Sequence, residues 1–296
     1  MLIFYIMNKP GIAIIFTCFN RKEKTLACMK SIYTEVNKAK YNIHFYICDD
    51  CSTDGTYEEL KKSYPEQTIF QSKGNLFWCK SMYEGMKLAV KDKYDFYLMI
   101  NDDVEFKESV IDELFNTYNK TNGDCAVVGE TVSKITSEIT YGGSCFTPRK
   151  VLFFQLCYNN KWFAKMDDNN LVECDLANWN CFFIPQSIID EVGIIDGKYQ
   201  HGYGDYDFSL RLKKADKKQY ITNHPIGYCE RNKTQGTFVD AAVPKKLRFK
   251  KMISIKSMPV YSHYRFHWRH FGLMGVLQVT WSYIKYSLKI LSGKNI

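Results

Sequence analysis

Carboxylates directly follow apolar segments of strand length at two places in the chain. FYICDD ends in Asp49 and Asp50, and FYLMINDD ends in Asn101, Asp102 and Asp103. Neighbouring carboxylates repel each other unless a cation lies among them, and Mg²⁺ and Mn²⁺ prefer such oxygen ligands, often together with substrate phosphates. The second cluster therefore predicts a metal site. It also fits the start of a helix at ESVIDELF, where acidic side chains are favoured, and the two interpretations are compatible.

A third acidic cluster, in HGYGDYDFSLRLKKA, opens a predicted helix with Asp205 and Asp207. Residues two apart on a helix point in nearly opposite directions, so the two carboxylates are predicted to have different roles. One faces the cleft as a general base, and the other pairs with Arg211. The alternative is that both carboxylates only cap the helix.

The elements that must position these clusters are visible as apolar runs that alternate with helical periodicity. The predicted strands are 11–17, 43–48, 67–71, 95–100 and 219–223, and the predicted helices include 76–90 and 205–216. This order indicates an α/β protein with a mostly parallel sheet that helices cover on both faces. Ligands bind beyond the carboxyl ends of such strands. Residues 17–21, 49–50 and 101–103 are therefore expected at one edge of the sheet.

The chain lacks the sequence motifs of several functional classes of protein. The first strand is not followed by G-x-G-x-x-G, no Gly-Lys-Ser/Thr phosphate loop occurs, and the histidines lack metalloprotease spacing. The eleven cysteines are scattered through apolar strings, which is typical of free thiols in a reducing compartment. Cys48 and Cys51 have the spacing of a zinc half-site, but no second Cys/His pair follows at a matching distance.

The positive charge is concentrated at the C-terminal end. Eleven Lys and Arg residues and no acidic residue follow Asp240, so residues 1–240 carry a net charge of −3 while the whole chain carries +8. Residues 271–291 show helical amphipathicity, with a narrow polar stripe that includes Lys285 and Lys289. This pattern favours contact with an anionic membrane surface. The alternative is a helix that packs on the rest of the chain or on a second copy in a homodimer; nucleic acid is not the expected partner.

Two predictions concern organisation and location. We predict one domain over residues 1–240 and a basic, aromatic-rich helical extension over 241–296. No apolar run is long enough to span a bilayer, and the opening MLIFYIM is too short for a signal sequence. The chain is therefore expected to be cytoplasmic and peripheral on the inner face of the cell membrane.

Four motifs, in their order and spacing, resemble those of family 2 glycosyltransferases with the GT-A fold: IIFTCFNR, ICDDCSTDGT, NDDV and YGDYDFSLR. GNLFWCKSMYEGMKLA and EVGIIDGKYQHGYGDYDFSLRLKKA are similar to the polysaccharide-biosynthesis branch, which includes rhamnosyl- and galactosyltransferase-like members. The resemblance implies that residues 1–240 form a Rossmann-like GT-A catalytic domain that binds a nucleotide-sugar.

The resemblance also implies roles for individual residues. The nucleotide-sugar would contact Thr17, Phe19, Arg21, Asp49, Asp50, Asn75, Trp78, Asn101 and Asp102. Asp103 would be the direct ligand of Mn²⁺ or Mg²⁺, in a D-x-D-like motif whose first residue is Asn101. His224 stands where some members supply a further metal ligand, and a structural role is the alternative.

Asp205 falls at the position of the family's catalytic base, although Gly204 replaces the more usual Glu before it. The acceptor side is expected to include Trp179, Asp207 and Arg211, with core packing as the alternative for the tryptophan.

The activity implied is an inverting, metal-dependent transfer. A hexose or deoxyhexose would pass from a nucleotide-diphosphate sugar to a hydroxyl of a glycan acceptor, lipid-linked in surface polysaccharide biosynthesis. Two alternatives stay open. One is a non-catalytic carbohydrate- or nucleotide-binding protein with the same fold. The other is a sugar-phosphate nucleotidyltransferase, which would be expected to carry a Gly- and Lys-rich loop where this chain has TCFNRKEK.

Overall fold

The computed structural model describes residues 9–35, 40–121, 123–147, 150–151, 154–155, 159–162, 171–293 and 296. The strands are β1 (Gly11–Cys18), β2 (Asn42–Asp49), β3 (Thr68–Gln71), β4 (Phe96–Ile100), β5 (Glu105–Phe106), β6 (Cys125–Val128), β7 (Thr131–Val132), β8 (Ile139–Tyr141), β9 (Gly143–Thr147), β10 (Lys150–Val151), β11 (Phe154–Gln155), β12 (Asn159–Trp162), β13 (Val172–Glu173), β14 (Leu176–Ala177), β15 (Cys181–Pro185), β16 (Lys218–Ile221) and β17 (Gly227–Tyr228). The helices are α1 (Lys22–Glu35), α2 (Thr56–Ser63), α3 (Phe77–Ala89), α4 (Val110–Asn119), α5 (Gln186–Val192), α6 (Gly204–Lys214), α7 (Lys245–Met252) and α8 (Val260–Leu291). The segment MLIFYIM lies outside the described residues, so its interpretation stays a prediction.

The central sheet has eight strands in the order β13-β16-β6-β15-β4-β1-β2-β3. The four strands predicted in the first 100 residues form its parallel half, with β1 between β2 and β4 and β3 at the edge. β15 runs antiparallel to both of its neighbours, β4 and β6. The α/β architecture and the mostly parallel pairing of the N-terminal strands are confirmed, and the second half of the sheet is mixed.

Burial on both faces explains the near-continuous apolar strands. Successive residues of β1 point to opposite faces. Ala13 and Ile15 join the core under α3 and α6, whereas Ile12, Ile14 and Phe16 join the core under α1 and α4. All five of these side chains are fully buried. Because neither face of the sheet is exposed to water, the carboxyl edge is the place where polar side chains can meet a ligand.

The C-terminal helices pack on this α/β body. Helix α8 begins at Val260, eleven residues before the predicted start, and it bends at Gly272, whose φ of 58° and ψ of −144° are not helical. Phe266, before the bend, packs into the same core as α6, and Ile290, after it, packs against Met252 of α7. In the described part of the chain, no helix combines the length and apolar character needed to cross a membrane.

Candidate active site

Arg21 links the two carboxylates that follow β4. Its Nη1 donates to Asp102 Oδ1 at 3.2 Å and to Asp103 Oδ2 at 3.1 Å, and Thr25 Oγ1 donates to the other oxygen of Asp102 at 3.2 Å. Burial raises the pKa of Asp102 to about 6, with Arg21 opposing this effect and Asp103 adding to it. The guanidinium of Arg21 therefore stabilises the ionised pair, and the metal site expected here from the sequence stays a prediction.

The two aspartates at the carboxyl end of β2 have separate hydrogen-bond partners. Asp49 is fully buried, and its Oδ1 accepts from the backbone N–H of Ser52 at 2.8 Å and from Gln71 Nε2 at 3.0 Å. Asp50 is 6% exposed and borders the cavity described below. Both were predicted to contact the nucleotide-sugar; Asp50 lines the cavity, whereas the buried Asp49 does not.

Strained backbone where the loop after β3 enters α3 supplies hydrogen bonds to Asp50. Asn75 and Phe77 have positive φ angles of 65° and 58°, which bulky residues rarely adopt. In this conformation the N–H groups of Leu76 and Phe77 donate to Asp50 at 3.1 and 2.8 Å. Trp78 follows directly, and its Nε1–H donates to Asn101 Oδ1 at 2.7 Å. The loop therefore connects the polar ends of β2 and β4.

A cavity of about 380 Å³ opens at this edge of the sheet. It is lined by seven predicted residues, namely Thr17, Phe19, Arg21, Asp50, Asn75, Trp78 and Asp102. It is also lined by Cys18, which lies in the range 17–21 expected at this edge although no role was predicted for it, and by residues that sequence reasoning missed, namely Cys51, Lys73, Gly74, Phe77, His201 and Lys256. Their proximity to strand ends was a usable signal for Cys18 and Cys51, but no sequence signal pointed to His201 or Lys256.

Asp103 borders a second cavity of about 450 Å³, next to the first. Cys229 lines the same cavity and donates its thiol hydrogen to Asp103 Oδ1 at 3.7 Å. Because Arg21 lines the first cavity and binds Asp103, the carboxylate pair lies at the boundary between the two. This boundary is a suitable place for two substrates to meet.

The donor set at this boundary fits a divalent cation that is held jointly with a ligand. Asp102 and Asp103 supply adjacent carboxylates, which is the usual protein contribution when substrate phosphates complete the coordination shell. In the ranges described, no group of three or more His, Cys, Asp or Glu side chains forms a complete metal cage. A Mg²⁺ or Mn²⁺ ion with one or two protein ligands suits these residues.

Asp205 opens α6 in a partly buried position. Its Oδ1 accepts from the backbone N–H of Tyr206 at 2.9 Å, and burial raises its pKa to about 6, against hydrogen bonds from Tyr206 and Asn178. A carboxylate with this pKa is ionised at neutral pH and close enough to neutrality to accept a proton. The preceding Gly204 is required by packing, because a Cβ there would lie 2.2 Å from Cys79 Sγ.

Asp207 faces the opposite side of α6 and is fully buried. Its carboxylate accepts from Arg211 Nε at 3.0 Å and from Tyr199 Oη at 3.1 Å, and it contacts two side chains of α8, His270 Nε2 at 2.8 Å and Arg269 Nη1 at 3.2 Å. Burial alone would raise the pKa of Asp207, but the bond to His270 and the charges of Arg211 and Arg269 outweigh it and lower the pKa. The pairing with Arg211 is as expected from the sequence, and no acceptor reaches a carboxylate this deeply buried.

Trp179 and His224 do not line the main cavity. Trp179 is 1% exposed, and its ring stacks on Phe182 with 5.2 Å between centroids, so it belongs to the core. His224 is exposed, and its backbone N–H donates to Glu113 of α4 at 3.4 Å. The structural alternative for the tryptophan accounts for its position. The metal role proposed for His224 gains no support from this location.

The comparisons with known proteins agree with this geometry. The chain has the fold of the crystal structure of GalNAc-T7 with UDP, GalNAc and Mn²⁺, with a TM-score of 0.59, 11% sequence identity and coverage of 97% of this chain. It spans 56% of the length of that structure's chain. No curated protein sequence matches. The family model described as "Glycosyl transferase family 2" matches residues 13–189, which is more than half of the chain and includes the ends of β1, β2 and β4. This chain belongs to glycosyl transferase family 2.

Proposed function

We propose that the protein is an inverting glycosyltransferase. It moves a hexose or deoxyhexose from a nucleotide-diphosphate sugar to a hydroxyl of a glycan acceptor. The observation that carries the proposal is the 380 Å³ cavity at the carboxyl edge of the sheet, where Asp50, Arg21 and Asp102 converge in a family 2 fold. GalNAc-T7, which shares the fold, was crystallised with a nucleoside diphosphate and Mn²⁺.

Nucleoside binding, diphosphate binding and proton transfer are assigned to different residues of the site. Asp50 and the loop after β3 bind the nucleoside, and Arg21 together with Asp102 and Asp103 lies at the diphosphate. Asp205 accepts the proton of the acceptor hydroxyl as that oxygen attacks the anomeric carbon and the bond to the diphosphate breaks. A divalent cation bound by Asp102 and Asp103 would neutralise charge on the leaving group as a Lewis acid. One displacement inverts the anomeric centre, so no second carboxylate is needed as a nucleophile.

Calorimetric titration tests the donor site. UDP, dTDP and GDP are each titrated with and without Mn²⁺ into the wild type, Asp103→Ala and the control Asp216→Ala, which changes an exposed aspartate just beyond α6. We expect one nucleotide to bind in a Mn²⁺-dependent way, and only Asp103→Ala to lose that dependence. If the wild type binds none of the three, the proposal is wrong. Binding without any transfer to glycan acceptors would instead indicate a non-catalytic member of the family.

We further propose that α8 rests on an anionic membrane, where the acceptor would be lipid-linked. Beyond Gly272, apolar side chains three or four residues apart leave one face uncovered. Between 45% and 62% of each of these side chains is exposed: Leu273, Leu277, Trp281, Ile284, Leu288 and Leu291. The exposed Lys285 lies beside this face, and the extension carries no acidic residue after Asp240. A basic helix with an apolar face suits the boundary between headgroups and acyl chains.

An anionic bilayer fits this face better than a second copy of the chain. A symmetric dimer places the same patch of both copies in contact, so the lysines beside the face would approach each other without a compensating carboxylate from either extension. Surface polysaccharide synthesis at the inner face of the membrane suits such a location. The free cysteines of the described residues are consistent with a reducing compartment.

A further inference from the structure

Two lysines line the 380 Å³ cavity, which we call the donor cavity, and their ammonium groups have no ionic or hydrogen-bond partner among the described residues. Lys73 comes from the loop before α3, and Lys256 comes from the segment between α7 and α8, within the C-terminal extension. Neither ammonium group makes a hydrogen bond or ion pair with any residue that the structure describes. Arg21, in contrast, is bound to Asp102 and Asp103. The positive charge available to an incoming anion is therefore that of the two lysines.

Lys256 and His201 line the same cavity. His201 is four residues before Asp205, and its ring contacts that of Phe77 at 6.4 Å between centroids. Burial first, and then the charges of Lys256 and Arg21, which line the same cavity, lower the pKa of His201. The Nδ1 atom of His201 is buried and has no hydrogen-bond partner among the described residues.

The backbone around Lys256 is fixed although its side chain is exposed. The N–H of Met258 donates to the carbonyl of Met252 at 2.9 Å, and Tyr283 Oη of α8 donates to the carbonyl of Met258 at 2.8 Å. Both methionines are buried in a cluster with Ile290. The turn therefore presents Lys256 to the cavity from a rigid base, at little cost in backbone entropy when a ligand binds.

We propose that Lys256 binds the diphosphate of the donor, so that the C-terminal extension supplies part of the nucleotide-sugar site. This inference rests on the proposed function. A lysine ammonium is a compact charge with three donors, which suits phosphate oxygens, and it would stabilise the negative charge that develops on the leaving group. An exposed lysine without a partner has no evident structural role at this position.

The test compares nucleotides that differ in phosphate content. Calorimetry measures the affinity of the preferred nucleoside diphosphate and of the matching nucleoside for the wild type, Lys256→Gln, Lys256→Arg and Lys250→Gln. Lys250 is a matched control, because it is an exposed lysine of α7 that does not line the cavity. We expect Lys256→Gln to weaken diphosphate binding about tenfold, the effect of losing one hydrogen bond between charged groups, with nucleoside binding unchanged. Lys256→Arg should restore most of the affinity, and Lys250→Gln should resemble the wild type.

Two results would overturn the inference, and they are distinguishable. If the wild type binds a nucleoside diphosphate and Lys256→Gln binds it equally well, the donor site stands and the role of Lys256 is wrong. Equal losses for the diphosphate and the nucleoside would also reject a phosphate contact. If the wild type binds no nucleoside diphosphate, the proposed function fails, and this inference fails with it.

Discussion

Asp205 and Asp207 are two residues apart in α6, yet their hydrogen bonds and neighbouring charges differ, and these contacts help to set the pKa of a carboxyl group. Asp207 is buried among two arginines, a histidine and a tyrosine, and its pKa is lowered. Asp205 is without a cationic partner in the described ranges, and its pKa is raised to about 6. The sequence predicted that the two carboxylates would divide their roles, since their spacing on a helix separates them. The resemblance implied Asp205 as the base, and its lack of a cationic partner among the described residues is compatible with that prediction.

Removing the Asp205 carboxylate should therefore affect turnover and not donor binding. We expect Asp205→Asn to lower kcat by about 10²–10⁴-fold, the usual contribution of a general base, with unchanged affinity for the nucleoside diphosphate. Steady-state transfer assays and calorimetry on the same preparations measure the two quantities. The control Asp216→Asn changes an exposed aspartate just beyond the same helix. A loss of donor binding as large as the loss of kcat would contradict the assignment.

The raised pKa of Asp205 also predicts how transfer depends on pH. The base must be ionised, so kcat at saturating donor and cation should fall as the pH drops through about 6 and then fall about tenfold per unit. A pH–rate profile between about pH 5 and 8 checks this. The expected sign is a decrease toward acid, and a flat profile over the whole range would exclude Asp205 as the titrating base.

At the scale of elements, ion pairs attach α8 to the α/β body. Arg265 and Arg269 each place a guanidinium nitrogen 2.8 Å from Asp196, while Arg269 and His270 contact Asp207 of α6. Arg265 and Arg269 lie on the same face of α8, one turn apart. The extension is therefore in contact with the helix that carries the proposed base.

Loss of Asp207 should destabilise this junction strongly. Asp207→Ala leaves buried cationic groups without their carboxylate, and we expect the free energy of unfolding to fall by about 3–5 kcal/mol. Urea or thermal denaturation measures the change. Asp216→Asn serves as the control, because asparagine also tolerates the φ of 56° at this exposed position, and it should stay within about 0.5 kcal/mol of the wild type. An effect of Asp207→Ala as small as that of the control would show that the buried cluster contributes little.

The bounds of helices and strands could be predicted well where apolar patterning is the main signal. The first four strands match their predicted bounds to within one residue at each end, and the signal is clearest for β1 and β4, which are nearly continuous apolar runs with buried faces. The start of α8 was missed, because His263, Phe266 and His270 form its buried face before the bend, and two of these side chains do not read as apolar in a sequence. The antiparallel insertion of β15 also has no local signal, since it depends on the strands on either side.

At the scale of the whole molecule, the uncovered face of α8 predicts binding to membranes. We expect the wild type to co-sediment with vesicles that contain phosphatidylserine, and much less with neutral phosphatidylcholine vesicles, because about 1 kcal/mol accompanies each basic residue near an anionic surface. The double variant Trp281→Ser/Leu288→Ser should weaken binding by roughly tenfold or more, since it removes two large apolar contacts.

Ile135→Ser is the matched control for this experiment, because Ile135 is 84% exposed and lies between β7 and β8, far along the chain from α8. It should bind vesicles like the wild type. If the wild type stays in the supernatant with anionic vesicles, the membrane proposal is wrong. A concentration-dependent dimer that the Trp281→Ser/Leu288→Ser variant abolishes would assign the face to a second copy instead.

The candidate site was predictable only in part, because some of its residues come from segments that are distant in sequence. Thr17, Asp50 and Asp102 follow strands that any parallel sheet brings to one edge, so their neighbourhood could be predicted from the strand pattern. Lys256 reaches the same cavity from a segment more than 150 residues after β4, through the packing of α7 and α8. Such a contact depends on tertiary packing, and sequence periodicity does not predict it.

The bend in α8 has a geometric consequence for how the two halves of the molecule work together. Gly272 adopts a φ and ψ combination that residues with a side chain avoid, and a Cβ there would meet no atom within 4 Å, so backbone conformation and not crowding selects glycine. The helix before Gly272 is bound to α6, and the helix after it carries the uncovered apolar face. If α8 binds a bilayer as proposed, the dihedral angles of this single residue would set the tilt of the sheet edge relative to the lipid, and with it the height at which an acceptor sugar would enter.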